Sequence, residues 1–99
     1  MWYFLIKTVP REDDAKEIGG AYVNCWINFQ LEDGAQQLAR FYLEKDGWRI
    51  EAVEKTEWVG RETYEDNPDG LNYFTEAEQD GASFLVNTWP TNGEDEETN

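Results

Sequence analysis

Glu65, Asn67, Asp69, Gly70 and Glu76 fall at positions 1, 3, 5, 6 and 12 of a calcium-loop pattern, in which oxygen ligands alternate around a sharp glycine turn. Three residues depart from it: Glu65 stands where Asp is usual, Pro68 takes position 4, and Asn72 takes the apolar position 8. Asn67-Pro68 is also the start of a helix, since an Asn side chain caps free N–H groups and Pro suits the first helical position. The cap uses the same residues without an ion, and a chain with 22 carboxylates produces such near-matches by chance. The expectation is therefore no metal.

Other chemistry is thinner still. Paired carboxylates for acid–base or glycosidase work could come from Glu51, Glu54, Glu57, Glu62, Glu65 and Asp66, but such work needs two carboxyls in different environments within a cleft. A solvated acidic face accounts for them without one. Histidine is absent, which removes the commonest general base, the Ser/His and Cys/His nucleophiles, and zinc sites built from His and Cys. Cys25, the only cysteine, stands among alternating apolar residues and reads as a small hydrophobe. Gly19-Gly20 precedes a strand, whereas phosphate-cradling glycines lead into a helix. No cofactor is expected, and the chain reads as a non-enzyme.

The aromatic residues carry more information. From Ala21 to Phe29 the side chains alternate, with Ala21, Val23, Cys25, Ile27 and Phe29 on one face and Tyr22, Asn24, Trp26 and Asn28 on the other. If helices cover the first face, Tyr22, Asn24, Trp26 and Asn28 form an open aromatic and amide surface suited to a partner, a second copy, or a small-molecule groove. The competing expectation is that the loop Arg11 to Gly20, or the segment Arg61 to Asp66, folds over them.

The elements that would position these residues follow from periodicity and punctuation. Met1 to Val9 is an aromatic and β-branched strand closed by Pro10, and Arg11 to Gly20 is a charged loop with one helical turn at Asp13 to Glu17. A helix starts near Glu32 or Asp33, repeats Ala35, Leu38, Ala39 and Tyr42 at helical spacing, and ends at Asp46-Gly47. Trp48 to Val59 is a third strand with a phase shift at Ala52-Val53, the mark of a bulge. The second helix runs from Asn67-Pro68 to Gly81 with Leu71, Phe74 and Ala77 inward, and Ala82 to Trp89 is the last strand. Helix-joined strands in one sheet are normally parallel, so the order strand, strand, helix, strand, helix, strand predicts a mixed four-stranded sheet with both helices on one face. This α+β two-layer sandwich resembles the ferredoxin-like folds in architecture, a likeness that implies no function.

Length and charge set the outer limits. The 99 residues make one domain over 1–90, followed by an acidic tail over 91–99 that has no apolar side chain and is expected to be disordered. Net charge is −14, with −2 in residues 1–50 and −12 in residues 51–99. Nucleic acid and anionic membranes are thereby disfavoured, while a basic protein surface is favoured. The longest apolar run, Trp2 to Ile6, is far short of the roughly 18 residues of a membrane span, and no secretory leader pattern follows Met1, so the expected location is cytoplasmic. The resulting expectation is an interaction module that binds another protein, or itself as a homodimer, through the Tyr22, Asn24, Trp26, Asn28 face or through an acidic surface with Glu57, Glu62 and Glu65. The alternative is a small dimeric enzyme or small-molecule binder with a pocket at the open sheet face.

Overall fold

In a computed structural model that describes residues 1–11 and 18–90, four strands form one sheet in the order β3-β1-β2-β4. They are β1 (Trp2–Pro10), β2 (Gly20–Ile27), β3 (Trp48–Trp58) and β4 (Ala82–Trp89), with helices α1 (Glu32–Lys45) and α2 (Pro68–Asp80) and a 3₁₀ turn at Arg61–Tyr64. The expected tail over 91–99 and the helical turn at Asp13 to Glu17 lie outside the described residues.

Local sequence accounts for the element ends. Asn67 caps α2 by accepting the Gly70 N–H at 3.1 Å, Pro68 occupies the first helical position, and Gly81 ends the helix at φ 93°. Of the calcium-like spacing, Asn67 and Gly70 are thus joined in the helix cap. Gly47, at φ 96°, makes the left-handed turn between α1 and β3. On β3 the pairing with β1 slips on both sides of Ala52-Val53, leaving Glu51 and Glu54 as extra residues.

Two expectations about topology are corrected. The sheet is entirely antiparallel between neighbours, not mixed, because β1 pairs antiparallel with both β2 and β3 and separates them. Strands β2 and β3, joined by α1, do run parallel to each other, but β1 lies between them. The helices also lie on opposite faces. On one face α1 packs Ala35, Ala39 and Leu43 against Phe4, Ile6, Val23, Cys25 and Ile27. On the other, α2 packs Phe74 and Ala77 against Trp26, Val59 and Met1, with Tyr3, Tyr73 and Leu85 beside them. The molecule is thus a three-layer arrangement of helix, sheet and helix, not the two-layer sandwich of a ferredoxin-like architecture.

The reason is visible in the strand alternation. Residues 2, 4, 6 and 8 of β1 face α1, whereas Tyr3 and Leu5 face the other way, so both sheet faces carry apolar area and both demand cover. The backbone pair between Met1 and Val59, with N–H to carbonyl distances of 2.9 and 3.0 Å, anchors the chain where it leaves β3 for the α2 face.

Candidate functional site

Between α2, the 3₁₀ turn and the sheet lies an open cleft of about 580 Å³, lined by Tyr3, Asn24, Trp26 and Leu85 from the sheet. Glu57 and Lys55 of β3 stand at one rim, while Tyr64, Asn67, Asp69 and Tyr73 stand at the other. The register accounts for the floor: Tyr3 pairs with Trp26 and Glu57, and Asn24 pairs with Leu85, so these side chains emerge on the α2 face.

Trp26 is the fixed wall of this cleft. It is 4% exposed, its ring stacks on Tyr73 with centroids 5.0 Å apart and planes 7° apart, and Tyr3 tilts against it at 5.4 Å. Its indole N–H donates to the Tyr64 hydroxyl at 2.7 Å, which pins the 3₁₀ turn to the sheet. The Tyr3 hydroxyl donates to the Asn24 side-chain oxygen at 2.5 Å, and the Asn24 amide donates to the Leu85 carbonyl at 3.4 Å. Every polar group on the floor is thereby oriented.

The electrostatics divide the lining into neutral walls and a charged rim. Burial pushes the Tyr3 phenol up to about 12, with the neighbouring Tyr64 and Cys25 adding to it. Burial raises Tyr64 as well, opposed by its hydrogen bond from Trp26. Both phenols are neutral hydrogen-bonding and π surfaces at physiological pH. Glu57 and Asp69 are exposed at the rim, and Lys55 approaches Glu57 at 3.5 Å. Cys25, fully buried on the α1 face, has its thiol pushed far above the usual range by burial, so it has no thiolate to offer.

Asn24, Trp26 and Glu57 of the sequence-derived candidates meet in the cleft. The other four do not line it. Tyr22 is exposed at the far end of the same sheet face, its ring 5.1 Å from Trp89, with the Lys7 ammonium 6.0 Å over the Trp89 ring. Asn28 lies just past β2, where its backbone N–H donates to the Gly81 carbonyl at 2.9 Å. Glu62 belongs to the 3₁₀ turn near the Met1 ammonium, and Glu65 follows that turn, exposed. Of the two expectations for the open face, cover over Trp26 is realised by α2 and the 3₁₀ turn, while Tyr22 stays open.

Tyr3, Tyr64 and Tyr73 line the cleft without having been singled out from sequence, and Asp69, noted there only within the calcium-like spacing, lines it with them. Tyr3 carried a signal, because its strand alternates faces and Phe4 belongs to the core. Tyr64 and Tyr73 carried none, since their placement depends on which face α2 covers. Among the described residues, no group of three or more Cys, Asp or Glu side chains is placed to hold a metal ion, and no helix is long and apolar enough to cross a membrane. No family model, no curated protein and no solved structure matches this chain.

Proposed function

We propose that the chain is a non-enzymatic binding module that takes a basic side chain of a partner protein into the cleft beside Trp26. The observation that carries this reading is the lining itself: the aromatic rings of Tyr3, Tyr64 and Tyr73 beside the carboxylates of Glu57 and Asp69. Ring faces attract a guanidinium or ammonium group through their quadrupole, and a nearby carboxylate supplies the charge-assisted hydrogen bond. The preference for a binder over an enzyme rests on exposure. Glu57 and Asp69 are exposed to solvent at the rim, Glu57 lies 3.5 Å from the Lys55 ammonium, and the only thiol is sealed on the other face.

The net charge of −14 supports a basic partner, since it draws such a surface in from a distance. A cytoplasmic setting belongs with this reading and is checked by imaging the tagged protein. The test of the cleft uses N-acetyl-arginine amide and its neutral isostere N-acetyl-citrulline amide. Arginine should shift the Gly70 amide and the Trp26 indole resonances saturably, and citrulline should not. Glu57→Gln should weaken the arginine response. Equal responses to both probes would remove the charge from the recognition and favour a small-molecule site, for which a volume of about 580 Å³ is adequate.

A further inference from the structure

The two edges of the sheet are built in opposite ways. β3 carries Arg49, Glu51, Glu54, Lys55 and Glu57 and two register slips, which are the usual protections of an exposed edge. β4 (ASFLVNTW) has no charged residue, and its register with β2 is unbroken from Gly20↔Trp89 to Ile27↔Ala82. Among the described residues nothing pairs with its outer side. We propose that this edge accepts an extended segment of a partner protein as a fifth strand, one whose residues alternate between basic and apolar.

The backbone supplies the first half of that recognition. The Asn28 N–H to Gly81 carbonyl bond sets the antiparallel alternation, so Ser83, Leu85 and Asn87 turn their backbone groups toward β2. The N–H and C=O groups of Phe84, Val86 and Thr88 then point away from the sheet, toward the position of an added strand.

The side chains supply the second half, and the two faces of the edge differ. On the α1 face, Val86 is 42% exposed, and the half-exposed Tyr42 ring lies 5.9 Å from Phe84, which makes an apolar shoulder. On the α2 face a second cleft of about 520 Å³ runs beside Leu85, lined by Asp69, Asn72, Tyr73 and Glu76. These four positions, spaced i, i+3, i+4 and i+7, form one stripe of α2, a helix with no Lys or Arg. Arg61, the nearby cation, is engaged with Glu78 on a different stripe. A strand lying along β4 alternates its side chains between these two environments, apolar toward Val86 and Tyr42, basic toward Asp69 and Glu76.

The same charges disfavour two other occupants. A second copy paired through β4 about a two-fold axis would bring both α2 helices to the same face, with their acidic stripes toward each other. Residues 91–99 of this chain are acidic and without apolar side chains, the opposite of what the edge and its cleft complement.

This inference rests on the reading of a basic partner, and the two clefts share Asp69, Tyr73 and Leu85, but strand addition is read at the outward backbone amides of β4, which the cleft beside Trp26 does not include, so the two are separable. The probe is an eight-residue peptide alternating Lys and Val, compared with a peptide of the same composition in block order and with a Glu/Val alternation. The Lys/Val alternation should bind, and hydrogen exchange at the Phe84, Val86 and Thr88 amides should slow about tenfold or more at saturation. Val86→Pro removes an outward N–H without touching the β2 ladder and should weaken binding about tenfold, whereas Val86→Ala, which keeps the N–H, should cost only a few-fold. Equal binding of the block peptide, unchanged exchange at the three amides, or full binding by Val86→Pro would overturn the proposal. So would protection of those amides by concentration-dependent dimerisation, which would assign the edge to a second copy. Arginine capture in the cleft that survives such a failure leaves the cleft reading standing; loss of arginine capture with strand addition intact does the reverse.

Discussion

Replacing Trp26 by Ala is the most direct test of the α2 layer, because this one side chain joins β2, the 3₁₀ turn and α2. A buried aromatic of this size removes about 150–250 Å² from water, which at about 25 cal/mol per Å² is about 4–6 kcal/mol. That figure is an upper bound, since the unfolded chain already hides part of the surface, and Ala retains the first carbon. Truncations of buried Trp and Phe accordingly cost about 3–5 kcal/mol. The stacked contact with Tyr73 and the hydrogen bond to Tyr64 are lost with it. Against a total stability of about 5–10 kcal/mol for a domain of this size, the loss is a large share. At about 4–8 °C per kcal/mol, the thermal midpoint should fall by roughly 12–40 °C. Differential scanning calorimetry gives the midpoint, and near-ultraviolet circular dichroism reports the aromatic cluster. A fall under about 5 °C would mean that α2 contributes little packing to this face, and the cleft would then have no fixed wall.

Alkaline pH should destabilise the fold from about pH 9 upward. The Cys25 thiol and the Tyr3 phenol are both raised by burial, from ordinary values of 9.0 and 10.0. The unfolded chain releases these protons first, so stability is fully present below those values and declines as pH rises through the interval from 10 to about 12 for Tyr3. Urea midpoints at pH 8, 10 and 11 check this, and Cys25→Ala should blunt the early part of the decline. Gly20→Ala should cost about 1–3 kcal/mol, because the new methyl would collide with the Trp89 ring and stand 2.6 Å from the Thr8 carbonyl oxygen. Gly47→Ala meets no atom within 4 Å, so its cost should be only the roughly 1–2 kcal/mol of holding a side chain at positive φ. Urea midpoints check both: an unchanged midpoint for Gly20→Ala would refute the collision, and an unchanged midpoint for Gly47→Ala would refute the cost of positive φ. Thr8→Val should lose about 1 kcal/mol, since it removes a buried hydroxyl that donates to the Ala21 carbonyl at 3.0 Å. A midpoint unchanged within error would show that bond to be energetically silent.

The elements themselves were legible in the residues because each is decided by neighbours a few positions away. Asn67-Pro68 and Gly81 bracket α2, Gly47 turns the chain out of α1, and the phase shift at Ala52-Val53 marks the irregular edge of β3, all as cap, turn and alternation rules require. The sidedness of β2 was also local, so Val23, Cys25 and Ile27 were separated from Asn24 and Trp26 before any contact was known. What the sequence left open was which strands become neighbours and which face each helix covers. Those are choices among long-range pairings that satisfy the same local pattern, and they are decided by the total apolar area that must be covered. With Phe4 and Ile6 on one face of β1 and Tyr3 with Trp26 on the other, a helix on each face buries both sets, whereas two helices on one face would leave Trp26 in water. The cleft is a product of that decision. Tyr64 and Tyr73 reach Trp26 across 38 and 47 positions of sequence, a proximity that only the packing of α2 onto the sheet creates.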